Sequence, residues 1–84
     1  MLKKVLVANR GEIAVRIIRT LDKMGIGSVA VYSPADRYAR HVEVANEAYA
    51  LPGDRVEESY LRADLILDIA KKAKVDGIHP GYGF

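Results

Sequence analysis

The sequence contains no cysteine, which excludes disulfide bridges, thiolate metal sites and a cysteine nucleophile. No apolar run approaches the roughly 18 residues of a membrane span. Residues 1–8 also lack the apolar core and small-residue cleavage site of a secretory signal, so a cytoplasmic protein starting at Met1 and without a membrane partner is expected. Charge of one sign is scarce: 13 basic residues stand against 11 acidic ones, a net +2. That balance describes a mixed, solvated surface, and no nucleic-acid partner is expected. No pair of carboxylates, no serine with a base and no lysine in a phosphate loop stands at a spacing that could run a reaction, so no catalytic residue is expected. His41 has no second ligand at i+4 on a defined face, and metal binding is not expected either. No repeat, linker or low-complexity segment interrupts the chain. Its 84 residues suffice for one domain, which at this size buries about 60–65% of its unfolded surface and is marginal in isolation.

What the chain does contain begins with Val5, Leu6, Val7 and Ala8, a near-continuous apolar run suited to a strand buried on both faces of a parallel sheet. Asn9 and Gly11 suit a turn, and helical periodicity then starts. The first helix is expected over residues 12–24, with Ile13, Ala14, Ile17, Ile18, Leu21 and Met24 on its buried face. Gly25 should end it. Glu12 falls in the first turn, favoured by the helix dipole, and can pair with Arg16. Arg16, Arg19 and Lys23 make the opposite face cationic, either a solvated surface or a partner surface. Residues 28–33 read as a second buried strand, completing a βαβ unit. Asp36 stands near the place where a dinucleotide fold holds a ribose, but the first turn carries a single glycine in place of G-x-G-x-x-G, so a turn or N-cap role is expected instead.

Further along, residues 38–45 read as a short helix with His41 as a packing or surface residue, and residues 47–51 as a third strand. A third helix is expected from Ser59, whose hydroxyl would cap the N–H of Leu61 or Arg62. Its buried stripe would be Leu61, Leu65, Ile66, Ile69, Ala70 and Ala73, with Asp68 paired to Lys72. Val75, Asp76 and Gly77 lead into a fourth strand over residues 77–79. In open α/β sheets ligands collect beyond the carboxyl ends of the strands. Asn9, Arg10, Gly11 and Glu12 fall at that edge, as does the closing His79, Pro80, Gly81, Tyr82 and Gly83. Glycines there allow close approach, and Tyr82 offers a flat amphipathic surface.

Residues 8–14, Ala-Asn-Arg-Gly-Glu-Ile-Ala, followed by Val31-Tyr32-Ser33, Ala35-Asp36-Arg37, Ser59-Tyr60-Leu61 and Ile78-His79-Pro80-Gly81-Tyr82-Gly83-Phe84, resemble the N-terminal domain of biotin carboxylases. That family includes components of acetyl-, propionyl- and methylcrotonyl-CoA carboxylases, pyruvate carboxylase and urea carboxylase. The resemblance implies an α/β, Rossmann-like (pre-ATP-grasp) three-layer fold: a parallel sheet of about four strands in order 3-2-1-4, with helices on both faces. It also implies that residues 1–84 are truncated before the domain's last helix and strand, and that an ATP-grasp domain is absent from them.

The implied activity is that of a ligase, the ATP-dependent carboxylation of biotin by bicarbonate, with biotin, ATP and Mg as cofactors of the intact enzyme and none bound by this chain alone. The implied partners are a biotin carboxyl carrier, a carboxyltransferase component and a second copy in a homodimer. By the same resemblance, residues 79–83 face the biotin and bicarbonate side, and Arg16 and Arg19 lie at the dimer interface. Lys23 stands where the family can carry an acidic partner, Asn46 where it usually has aspartate, and residues 52–55 depart from its loop. A free-standing nucleotide-binding module and an interaction domain using the Arg16 and Arg19 face are the alternatives.

Overall fold

The computed structural model describes residues 2–82. Its elements run β1 (Lys4–Val7), α1 (Gly11–Lys23), β2 (Gly27–Tyr32), a 3-10 turn (Pro34–Asp36), α2 (Arg40–Val44), β3 (Glu47–Ala50), a second 3-10 turn (Val56–Glu58), α3 (Ala63–Ala73) and β4 (Gly77–His79). All neighbouring strands pair in parallel, in the order β3-β2-β1-β4, as expected. β1 is therefore central, flanked by β2 and β4.

Because side chains alternate across a strand, the apolar run of β1 feeds two cores. Leu6 and Ala8 join Val29, Val31, Leu51, Tyr60 and the α3 residues Ile66, Ala70 and Ala73 on one face. Val5 and Val7 meet Ala14, Ile18 and Leu21 of α1 on the other, with Val44 and Ala45 packed alongside. Helices thus cover both faces of the sheet. A fully buried leucine at the centre of such a layer, like Leu6, carries about 2–5 kcal/mol against alanine.

Both long helices end in the same device. In α1 the Gly25 N–H reaches Asp22 O and the Ile26 N–H reaches Leu21 O, with Gly25 at φ +74. α3 repeats the pattern with Lys74 N–H to Lys71 O and Val75 N–H to Ala70 O. There the left-handed position is filled by Lys74 at φ 57, where a β-carbon is strained. Asp76 then accepts the N–H groups of Lys3 and Lys4 at 2.8 and 3.0 Å, joining the start of β1 to the approach to β4.

Three expectations are corrected. α3 does not begin at Ser59: the chain makes a 3-10 turn and a further turn first, and the helix N-cap is Arg62, without a side-chain cap bond. Ser59 is buried and its hydroxyl donates backward to Arg55 O at 2.8 Å. Delaying the helix lets Tyr60 turn inward, so Leu61 is exposed instead of joining the buried stripe. Met24 is also exposed, at 65%, because it occupies the C-cap of α1 and lies past the buried face. Finally, the pairs Glu12–Arg16 and Asp68–Lys72 do not form. Among the described residues the ion pairs are Lys4–Glu47, Arg10–Asp36, Arg55–Glu57 and Arg62–Asp64.

Candidate functional site

Parallel pairing delivers β1, β2 and β4 to one edge of the sheet. Val7 lies opposite both Ala30 and His79, and the Ala8 N–H donates to His79 O at 2.9 Å. Residues 9–11 therefore stand beside residues 80–82. Asn9, 2% exposed, joins them: its Nδ2 donates to Pro80 O and to Tyr82 O, both at 2.9 Å, while its Oδ1 accepts the Arg10 N–H at 2.8 Å. Gly81 sits between those carbonyls at φ +68, and its N–H donates to His79 Nδ1 at 3.1 Å. His79, Pro80 and Tyr82 are exposed, Tyr82 at 69%. Gly83 lies outside the described residues.

Arg10 makes the next link. Its guanidinium forms a two-bond fork with Asp36, Nε to Oδ2 at 2.7 Å and Nη2 to Oδ1 at 3.0 Å. Asp36 Oδ2 also accepts the hydroxyls of Ser33 at 3.2 Å and Tyr60 at 2.8 Å. Tyr60 in turn accepts the Ser33 N–H at 3.1 Å, and the Arg10 guanidinium carbon lies 6.0 Å from the centre of its ring. The Arg10 guanidinium, against the opposing effect of burial, holds the Asp36 carboxyl well below the usual carboxylate range. Asp36 raises the already high pKa of Arg10 in return. Burial pushes the Tyr60 phenol up. Asp36 is thus a turn residue, as expected, with a further role that sequence spacing did not disclose: it ties the turns after β1 and β2 to the segment before α3.

An apolar groove of about 450 Å³ opens beside this edge, lined by Ala8, Tyr60, Leu61, Ile66, Leu67, Ile78, Pro80 and Tyr82 among others. Gly11, at φ +63 with open space where a β-carbon would stand, and Glu12 continue into the exposed first turn of α1. Arg16 and Arg19 are also exposed on α1 but open onto different hollows. Arg16 borders one of about 300 Å³ shared with Ile17, Thr20, Leu21, Met24 and His79, whereas Arg19 borders another with Ile18, Asp22, Lys23 and Val44. His41 is buried in α2, its Nε2–H donating to Val31 O at 3.0 Å, which fits the packing role expected for it.

Chemically, the edge is a braced platform. Its buried polar groups are engaged with one another, and Tyr82 with the groove supplies an open amphipathic surface. Among the described residues no three His, Cys, Asp or Glu side chains gather to hold a metal ion, and no helix is long and apolar enough to cross a membrane.

Comparison with known proteins identifies this arrangement. The family description "Biotin carboxylase, N-terminal domain" matches residues 1–84. Biotin carboxylase 2 of Bacillus subtilis is 60% identical over 83 residues, covering 99% of this chain and 19% of that protein. The mouse mitochondrial methylcrotonoyl-CoA carboxylase subunit alpha is 56% identical over 81 residues, covering 96% of this chain and 11% of its own. Among solved structures, the urea carboxylase of Kluyveromyces lactis superposes with a TM-score of 0.96 at 54% identity, over 99% of this chain and 7% of that one. The biotin carboxylase domain dimer of Hydrogenobacter thermophilus 2-oxoglutarate carboxylase, in complex with MgADP, ADP and bicarbonate, superposes at 0.92 with 51% identity, over 100% of this chain and 18% of that one. The chain thus spans no more than 19% of the length of these relatives. Matched along its whole length in sequence and in fold, the chain belongs to the biotin carboxylase N-terminal domain family.

Proposed function

We propose that this chain works as the N-terminal domain of a biotin-dependent carboxylase component, a ligase that in its intact form uses ATP to carboxylate carrier-bound biotin with bicarbonate. The observation that carries the reading is the loop of His79, Pro80, Gly81 and Tyr82, pinned by Asn9 to the turn after β1 and presenting Tyr82 beside an apolar groove. A flat aromatic with a polar edge suits a bicyclic urea such as biotin, which is apolar on its faces and polar at its rim. Residues 79–83, with Gly83 included from the sequence, form the biotin and bicarbonate wall in this reading, and Asn9, Arg10, Gly11 and Glu12 support it. ATP and Mg are held elsewhere in the intact protein, by an ATP-grasp domain, since nothing in the described edge fits a metal or a phosphate loop. A carrier and a carboxyltransferase complete the partnership, in the cytoplasm.

Tyr82→Ala in the full-length enzyme tests this. The Michaelis constant for biotin should rise, with about 1–3 kcal/mol lost in kcat/KM, while that for ATP stays near wild type. Unchanged biotin kinetics, or a defect confined to ATP, makes the loop structural.

A homodimer using Arg16 and Arg19 is a second part of the proposal. Both arginines are exposed on α1, and the Hydrogenobacter relative is described as a dimer. Reversing both to glutamate should weaken self-association of the full-length protein in sedimentation velocity; an unchanged dissociation constant counts against it.

A further inference from the structure

We infer that Asn9 is the positioning residue of the substrate-facing loop: its side-chain amide sets the backbone of residues 80–82, and so the direction of Tyr82, without touching substrate. The inference rests on the assignment of that loop to the biotin side. An amide side chain has two N–H donors and a carbonyl acceptor, and Asn9 uses all of these functions. Nδ2 serves two carbonyls, of Pro80 and Tyr82, that flank one residue, and Oδ1 takes the Arg10 N–H. One buried group therefore fixes the loop to the turn, and the turn is fixed in its own right by the Arg10–Asp36 fork.

Residue type is decisive at both ends of this clamp. A carboxylate of the same shape offers no proton to either carbonyl. At Gly81, a β-carbon would stand 2.5 Å from Asn9 Nδ2, 3.1 Å from its Cγ and 3.2 Å from Ile13 Cγ2. Gly81 is required by its positive φ and, independently, because the amide occupies the space a side chain would need. The loop's own bond, Gly81 N–H to the exposed His79 ring, spans two residues and cannot tie the loop to the body of the domain.

The test uses the full-length enzyme and the variants Asn9→Asp, Asn9→Ala, Gly81→Ala and Asn9→Ala/Gly81→Ala, with deuterium uptake over residues 79–82 measured in the absence of substrates and the Michaelis constants for biotin and ATP measured beside it. Asn9→Asp should speed exchange in that segment by about tenfold or more, with the central strands unaffected. It should raise the biotin constant by a similar factor and leave the ATP constant within about twofold. The double variant should be less impaired than the two single losses combined, because Asn9→Ala removes the group that the new β-carbon strikes. Wild-type exchange in Asn9→Asp overturns the inference, as do biotin and ATP constants that rise in step. If Asn9→Asp does not fold, additive losses in the alanine pair overturn it. Free exchange in Asn9→Asp together with a kinetically silent Tyr82→Ala upholds the clamp and removes the loop's substrate role instead.

Discussion

Asp36 accepts from Arg10, Ser33 and Tyr60, so one carboxylate closes three segments of chain. Its side chain is 15% exposed, while that of Arg10 is 49% exposed, so solvent screens much of the pair and Asp36→Asn should cost about 1–2 kcal/mol at neutral pH in denaturant unfolding. The direction of its pKa gives the pH dependence: the folded carboxyl titrates below the unfolded one. The stability from Asp36 is therefore complete above about pH 4, and is lost as pH falls through the folded value. Asp36→Asn should flatten that acid limb. His41 acts at higher pH. Its Nδ1 is buried without a hydrogen-bond partner, and burial lowers its pKa from the ordinary 6.5, with Val31 O and Asp36 opposing that shift and Arg10 adding to it. The unfolded chain takes up a proton first, so stability should begin to fall below about pH 6.5, and His41→Phe should remove that portion of the slope. The Asp36 network was not legible in the sequence. Asp36 lies 26 residues from Arg10 and 24 from Tyr60, and only the shared sheet edge brings the three together.

At the scale of elements, strands and helices separated by how much of their pattern was local. β1 and β2 were legible because burial on both faces leaves a near-continuous apolar run, β4 only from the turn residues that close the preceding helix, since it is short and largely exposed, and the carboxyl edge followed from their parallel order. The start of α3 was not legible, because Ser59 has the chemistry of a cap while the demand that displaced it, Tyr60 reaching Ser33 at the end of β2, is long-range. Lys74 is a similar local surprise: a lysine sits where glycine is the usual solution. Lys74→Gly should therefore stabilise the domain by about 0.5–1 kcal/mol, read as a higher denaturation midpoint with an unchanged slope.

For the whole molecule, the decisive contact is the pairing of β1 with β4, which joins Val5 to Gly77 and Val7 to His79. Asp76 reinforces it by accepting from Lys3 and Lys4. A chain shortened to end at residue 75 loses both and should show no cooperative thermal transition by circular dichroism, whereas Ile78→Val, exposed and conservative, should behave as wild type. The candidate site depends on the same contact, since Asn9 has a loop to hold only when β4 is in place.

That pairing also has a meaning for biosynthesis. Chains are made from the amino terminus, and domains fold as units once their parts are available. Here β1 leaves the ribosome before β4, so the central strand must wait for Gly77, Ile78 and His79 to fill its second edge. α3, which covers Leu6, Val29 and Val31, also comes late. Throughout that interval the nascent chain carries a bare strand edge and an uncovered apolar face, the features that invite mispairing and chaperone capture.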